Sequence, residues 1–248
     1  SGYRVIEVEH LTLSLSGQEV LKDVSFRLED GQKLVIVGRS GSGKTVLIKT
    51  LMGLYHPVGG TVKVDDKDVF WDSGNWGSSV RQDFAMVFQS SALLDSYTVF
   101  QNVALPLYER EELDYEAIRE KVGRSLDVVG LKNIMDKYPA ELSGGMRKRV
   151  GIARALVYDP RYIIFDEPVS GLDPITAGEI IYYITQIIAS ERATTITITH
   201  DTRDLEAIGD QVLFLDEGRA LYYGPLAGLR QAEEPLIRRY LRSGSETL

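Results

Sequence analysis

The run Gly38-Arg39-Ser40-Gly41-Ser42-Gly43-Lys44-Thr45 constrains this chain more than any other feature of its sequence. It follows the apolar stretch Lys33-Leu34-Val35-Ile36-Val37. It precedes residues 45–54, where Leu47, Ile48, Leu51 and Met52 recur at helical spacing. Strand, glycine-rich turn and helix in that order make the P-loop pattern. Glycines let a backbone close around phosphate groups and aim N–H donors at them, and the helix N-terminus adds a favourable dipole. The pattern predicts that Gly38, Arg39, Ser40, Gly41, Ser42 and Gly43 cradle the phosphates of a nucleotide. Lys44 is then expected to bridge the β- and γ-phosphates and Thr45 to ligate Mg2+. A chance match in a chain this long has odds of roughly one in a hundred, and the flanking strand and helix lower them.

Apolar and polar residues alternate along 5–15 and 20–28, as in half-buried strands. Further strands are expected at 61–64, 84–87, 162–165, 194–199, 211–215 and 220–223, with helices starting near Met146 and Pro174 and a short one at the end. Residues 99–140 are charged and helix-forming throughout. Strand and helix alternation implies an α/β fold with a mainly parallel sheet covered on both faces. The expected organisation is one domain over 1–248, with a core of 1–95 and 142–248 and an inserted α-helical subdomain at about 96–141.

Composition removes several classes of function. A net charge of −8 disfavours a nucleic-acid partner, since phosphate backbones are bound through an excess of Lys and Arg. The absence of cysteine excludes disulfide scaffolds and zinc–thiolate sites and is compatible with the cytosol. No apolar run approaches the ~20 residues that cross a bilayer. No basic region followed by an apolar stretch opens the sequence, so no secretory signal is expected.

Tyr162-Ile163-Ile164-Phe165-Asp166-Glu167 carries a strand through a core and delivers two carboxylates at its C-terminal edge, where α/β proteins bind ligands. Adjacent acids after a strand are often a solvated turn. Downstream of a P-loop they are expected to act, Asp166 on Mg2+ and Glu167 as the general base that polarises the attacking water.

Leu142-Ser143-Gly144-Gly145-Met146 closely resembles the signature Leu-Ser-Gly-Gly-Gln of the ABC ATPases, with Met in the fifth place. Ser143 also reads as a plain N-cap. Val87-Phe88-Gln89 resembles that family's Q-loop, Ser170-Gly171-Leu172-Asp173 its D-loop, and His200-Asp201 its switch histidine. His10 and His56 are read as structural. The resemblance spans essentially the whole chain. It implies a P-loop NTPase (RecA-like) core with an antiparallel β subdomain, ATP and Mg2+ as ligands, and ATP hydrolysis. It implies that Gln89 touches Mg2+ and water, that His200 assists catalysis, and that Asp173 lines a dimer seam. Ser143, Gly144 and Gly145 would grip the γ-phosphate held by a second copy of the chain. Where the family carries an adenine-stacking aromatic before a glycine, this chain has Leu15 and Ser16 before Gly17; Tyr3 is the candidate substitute.

Cargo rests on finer resemblance. The segment from Ser91-Ala92-Leu93-Leu94-Asp95-Ser96 to Leu107, the run Asp173-Pro174-Ile175-Thr176, and the tail Pro235 to Leu241 resemble ATPases of Mla/Mce phospholipid transport systems. These imply a permease subunit of Mla type, an Mce-domain lipid-binding protein, an accessory subunit in some systems, and a place on the cytoplasmic face of the inner membrane. The alternatives are an importer ATPase for another cargo, such as an amino acid or lipoprotein, and a non-transport ABC protein. The loop 71–79, with Trp71 and Trp76, is read either as a contact site or as packing on the sheet.

Overall fold

The strands sort into two sheets according to how their side chains are arranged. A computed structural model of the chain describes residues 5–39, 41–70, 83–110, 113–191, 193–203 and 205–243. Tyr3, Ser40 and the loop 71–79 lie outside them. The smaller sheet is antiparallel, in the order β2-β1-β4-β5, from β1 (Val5–Leu15), β2 (Gln18–Glu29), β4 (Gly59–Val64) and β5 (Lys67–Asp68). Pairing of β1 with β2 runs from Val5↔Glu29 to Leu15↔Gln18, with a register shift between Val8 and Leu11. There His10 takes φ 51, and Glu9 and His10 are both exposed. The strict alternation expected for 5–15 is therefore broken by a bulge, which restores Leu11 and Leu13 to the buried face.

The larger sheet has the order β10-β9-β3-β8-β7-β6. Its members are β3 (Lys33–Val37), β6 (Phe84–Val87), β7 (Tyr162–Asp166), β8 (Thr194–Thr199), β9 (Gln211–Asp216) and β10 (Arg219–Pro225). All neighbouring pairs are parallel except β9 with β10. Both faces are covered, which explains unbroken apolar strands such as Leu34-Val35-Ile36-Val37, every one of them fully buried. Successive side chains serve different cores. Leu34 and Ile36 pack with Val8, Leu13, Leu47 and Ile48 between the sheets. Val35 and Val37 join the helices on the other side. Each such side chain contributes about 1.5–3 kcal/mol by leaving water.

Helix α1 (Lys44–Leu51) stops three residues before the expected end at 54. Gly53 adopts φ 76. Its N–H bonds Thr50 O at 3.0 Å and that of Leu54 bonds Lys49 O at 2.9 Å. This paired closure satisfies the last carbonyls of the helix and turns the chain away.

The charged block folds into α2 (Val99–Arg110), α3 (Tyr115–Val128) and a 3-10 turn (Pro139–Glu141), and α4 (Gly144–Leu156) follows it. Asp114 caps α3 through the Ala117 N–H at 2.8 Å. Ser143 caps α4 through the Met146 N–H at 3.2 Å, so that helix begins at Gly144 rather than at Met146. Asn102, wholly buried, fixes the stretch before α2. Its Oδ1 accepts from Leu94 N at 2.8 Å, and its Nδ2 lies 3.0–3.2 Å from the carbonyls of Leu94, Tyr97 and Thr98. The remaining helices are α5 (Pro174–Glu191), α6 (Leu205–Ile208), α7 (Leu226–Arg230) and α8 (Pro235–Ser243), so two helices stand at the end where one was expected.

Candidate functional site

Parallel pairing brings four strand ends to one edge. Val37 lies opposite Thr199, Asp166 opposite Ile198, and Val87 opposite Phe165. The residues that follow, Gly38, His200, Glu167 and Phe88-Gln89, therefore line up along the C-terminal edge of the sheet, where such folds bind ligands.

The glycine-rich loop crosses this edge. A Cβ at Gly38 would meet the Leu215 carbonyl oxygen at 2.1 Å, so only glycine fits against β9. Gly43 takes φ 107 and leads into α1, whose first N–H groups have no side-chain cap. Ser42 N donates to Arg39 O at 3.1 Å, while the Ser42 Oγ is buried with no partner. Lys44 is buried, and its ammonium folds back on the carbonyls of Gly38 and, at 3.0 Å, Arg39. Arg39 is held in turn by Asp216, whose Oδ1 accepts from Nε at 2.9 Å and Nη2 at 2.6 Å. An uncapped helix start, an orphaned hydroxyl and a cation resting on loop carbonyls are together fitted to a phosphate group.

Thr45 is exposed at the mouth of the loop. Burial raises the carboxyl pKa of Asp166, Glu167 raises it further, and Lys148, Lys44 and Lys49 oppose the rise. Among the described residues no three His, Cys, Asp or Glu side chains converge as a metal cage. A hydroxyl, one carboxylate and an amide on this edge suit Mg2+, which is held by few protein ligands together with phosphate oxygens and water.

Glu167 has φ 45, a strained conformation for a residue with a side chain. Its N–H continues the ladder to Ile198 O at 2.9 Å. Its Oε2 lies 2.9 Å from His200 Nδ1. A cleft of about 310 Å³ runs from this pair along Ser170, Gly171 and Leu172. A larger recess, about 520 Å³, lies at the opposite edge among α3, the end of α4 and Ile163. Gln89 donates from Nε2 to Ser170 Oγ at 3.3 Å. Asp173 accepts from Thr176 Oγ1 at 2.6 Å and Thr176 N at 3.1 Å. Ser143, Gly144 and Gly145 are carried on the helical layer, with Gly145 facing Thr176, and not on the edge that holds Gly38, Glu167 and His200.

Two contacts had no sequence signal. Lys148 is buried and donates to Phe88 O at 2.6 Å and Gln89 O at 2.9 Å. Burial lowers its pKa to about 8, against the pull of Asp166. Tyr240 of α8 donates its hydroxyl to the His200 carbonyl and lies 3.3 Å from Gly38 O. Its ring meets Phe214 edge-on at 5.1 Å.

Loop and sheet together define a P-loop ATPase fold. A protein-family model described as "ABC transporter" matches residues 21–170. A probable ribonucleotide transport ATP-binding protein of Mycobacterium leprae is 37% identical over 95% of this chain and 68% of its own length. A methionine import ATP-binding protein of Pseudomonas fluorescens is 38% identical over 96% of this chain and 72% of its own. Among solved structures, cbiO1 of Clostridium perfringens, part of an ABC transporter complex, superposes with TM-score 0.83 at 28% identity over 98% of this chain and 99% of its own. A dimeric ATP-binding cassette with bound ADP and phosphate gives 0.75 at 27% identity, over 89% and 98% of the two chains. This chain belongs to the ATP-binding domains of ABC transporters, and is an ATPase that uses ATP with Mg2+. No helix among the described residues is long and apolar enough to cross a membrane.

Proposed function

We propose that the chain drives a membrane transporter by hydrolysing ATP between two copies of itself, in contact with a separate permease on the cytoplasmic face of a membrane. The observation that carries the reading is the Glu167–His200 pair, at 2.9 Å, on the strand edge beside the glycine-rich loop. In this reading the backbone of 38–43 and the Lys44 ammonium hold the triphosphate. Thr45, Asp166 and Gln89 hold Mg2+, which when bound offsets charge on the phosphates. Glu167 accepts a proton from water as the water oxygen attacks the γ-phosphorus, and ADP leaves. His200 keeps the Glu167 carboxylate turned toward that water. Ser143, Gly144 and Gly145 serve the ATP of the partner copy, with Asp173 at the seam. Residues 1–248 then act as one domain, in which 96–141 forms the arm that meets the permease. Exposed Phe88, Leu94, Tyr97 and Tyr108 supply an apolar surface for that contact.

Glu167→Gln tests the chemistry. ATP hydrolysis is expected to fall at least about 100-fold, with ATP binding retained. Unchanged hydrolysis would remove Glu167 as the base.

For the cargo, the names of the relatives favour a small solute, an imported amino acid such as methionine or a transported ribonucleotide. The segment 91–107, Asp173 to Thr176 and the tail 235–241 favour phospholipid and an Mla/Mce assembly, with its Mla-type permease, Mce-domain protein and accessory subunit. A pull-down from solubilised native membranes separates them. A solute-binding protein with the permease supports the importer; an Mce-domain protein with bound phospholipid supports the lipid reading.

A further inference from the structure

The segment that follows β6 is bound to α4 more tightly than its position between two elements requires. The ladder of β6 with β7 ends at Val87↔Phe165, so the next carbonyls have no strand partner there. Lys148 takes those of Phe88 and Gln89, at 2.6 and 2.9 Å. Arg154, six residues further along α4, takes those of Ser91 and Ala92, from Nη2 at 2.8 Å and Nη1 at 3.0 Å. Between the two cations sits Gly151. A Cβ there would meet Ser91 at 3.5 Å, an ordinary contact distance, so the segment lies against the helix at this point. Four carbonyls within five residues are thus held by two cationic side chains of one helix.

Neutral donors could satisfy such carbonyls at lower cost, because burying an ammonium is expensive. Burial also depresses both the Lys148 ammonium and the Arg154 guanidinium from their ordinary values. A segment held in this way cannot slide along α4 without leaving the buried Lys148 ammonium unpaired. The start of α4 is the Ser143–Gly145 turn, and the Gln89 amide reaches Ser170, three residues beyond Glu167. The clamp therefore links two regions that ATP would bring into play.

We propose that Lys148 and Arg154 lock residues 88–92 to α4, so that α4 sets where the Gln89 amide stands at the nucleotide site. Lys148 is then a positioning residue for Gln89. The proposal rests on the role given to Gln89 above.

The test uses Lys148→Met, which keeps the length of the stem and removes its donors, in the full chain. ATP hydrolysis is measured as kcat and KM, alone and in a Gln89→Ala background, beside the melting temperature. The expected kcat falls about tenfold with KM within about twofold. In the Gln89→Ala background the added loss is under about twofold, because the two changes remove one interaction. Arg154→Met releases the other end of the clamp and follows the same pattern; it decides the matter should Lys148→Met fail to fold. Unchanged kcat in these variants, or a full further tenfold loss in the Gln89→Ala background, overturns the proposal. If Gln89→Ala alone leaves kcat unchanged, the role of Gln89 falls and takes the proposal with it. A loss with Gln89→Ala but none with Lys148→Met removes the clamp alone.

Discussion

Gly38, Ser42 and Lys44 owe their arrangement to a short piece of backbone, which is why the sequence reveals them. A P-loop works through consecutive N–H groups and glycines, so its chemistry and its spacing are the same thing. Asp166 and Glu167 are legible for a related reason: an apolar strand can end in two acids only at its edge. Lys148 and Tyr240 had no such signal. Lys148 acts on carbonyls 59 and 60 residues away, and Tyr240 on carbonyls 40 and 202 away. A carbonyl oxygen is common to all residue types, so nothing in the composition of either segment marks the partner. Asp173 offers a test in pH. The Thr176 hydroxyl, and then the Thr176 N–H, hold its pKa below the ordinary value. A carboxyl depressed in the folded state stabilises above its unfolded pKa, about 4, and that stability is lost as pH falls through the folded value. The wild-type melting temperature is expected to fall more steeply below about pH 4 than that of Asp173→Asn, as followed by circular dichroism. Parallel curves would show that the capping charge contributes nothing.

At the scale of elements, periodicity located the strands and the helical block, while their ends depended on local closure. The bulge at His10 and the turn at Gly53 are set by backbone conformations that alternation and helical spacing do not encode. Arg149 of α4 links that helix to two of its neighbours. Arg149 donates from Nε to Val129 O at 2.9 Å, from Nη1 to Glu179 at 2.9 Å, and from Nη2 to Gly130 O and the Tyr183 hydroxyl, both at 3.2 Å. Its guanidinium carbon also lies 4.6 Å from the centre of the Tyr183 ring. It therefore ties the end of α3 to α4 and α5. Arg149→Ala leaves two carbonyls without their donor and is expected to cost about 2–3 kcal/mol, measured by urea unfolding. A loss below about 0.5 kcal/mol would mean that water replaces the guanidinium at no cost.

For the whole molecule, the proposed function has one chain hold half of each site. The sheet edge gathers the loop, Glu167 and His200, while the Ser143–Gly145 turn starts α4 and lies beside Thr176. The family's shape was legible from motif order; the cargo was not, since relatives at 37% and 38% identity carry names of different solutes. Surfaces that meet a permease are read by shape and apolar contact, and such contacts leave a weaker pattern than phosphate chemistry does.

The central claim is that two copies close around ATP, each completing the other's site. Analytical ultracentrifugation of Glu167→Gln with ATP and Mg2+ tests it most directly, because hydrolysis then no longer opens the pair. The expected result is a monomer without nucleotide and a dimer with one ATP bound per chain. A chain that binds ATP yet keeps its monomer mass at every concentration would contradict it.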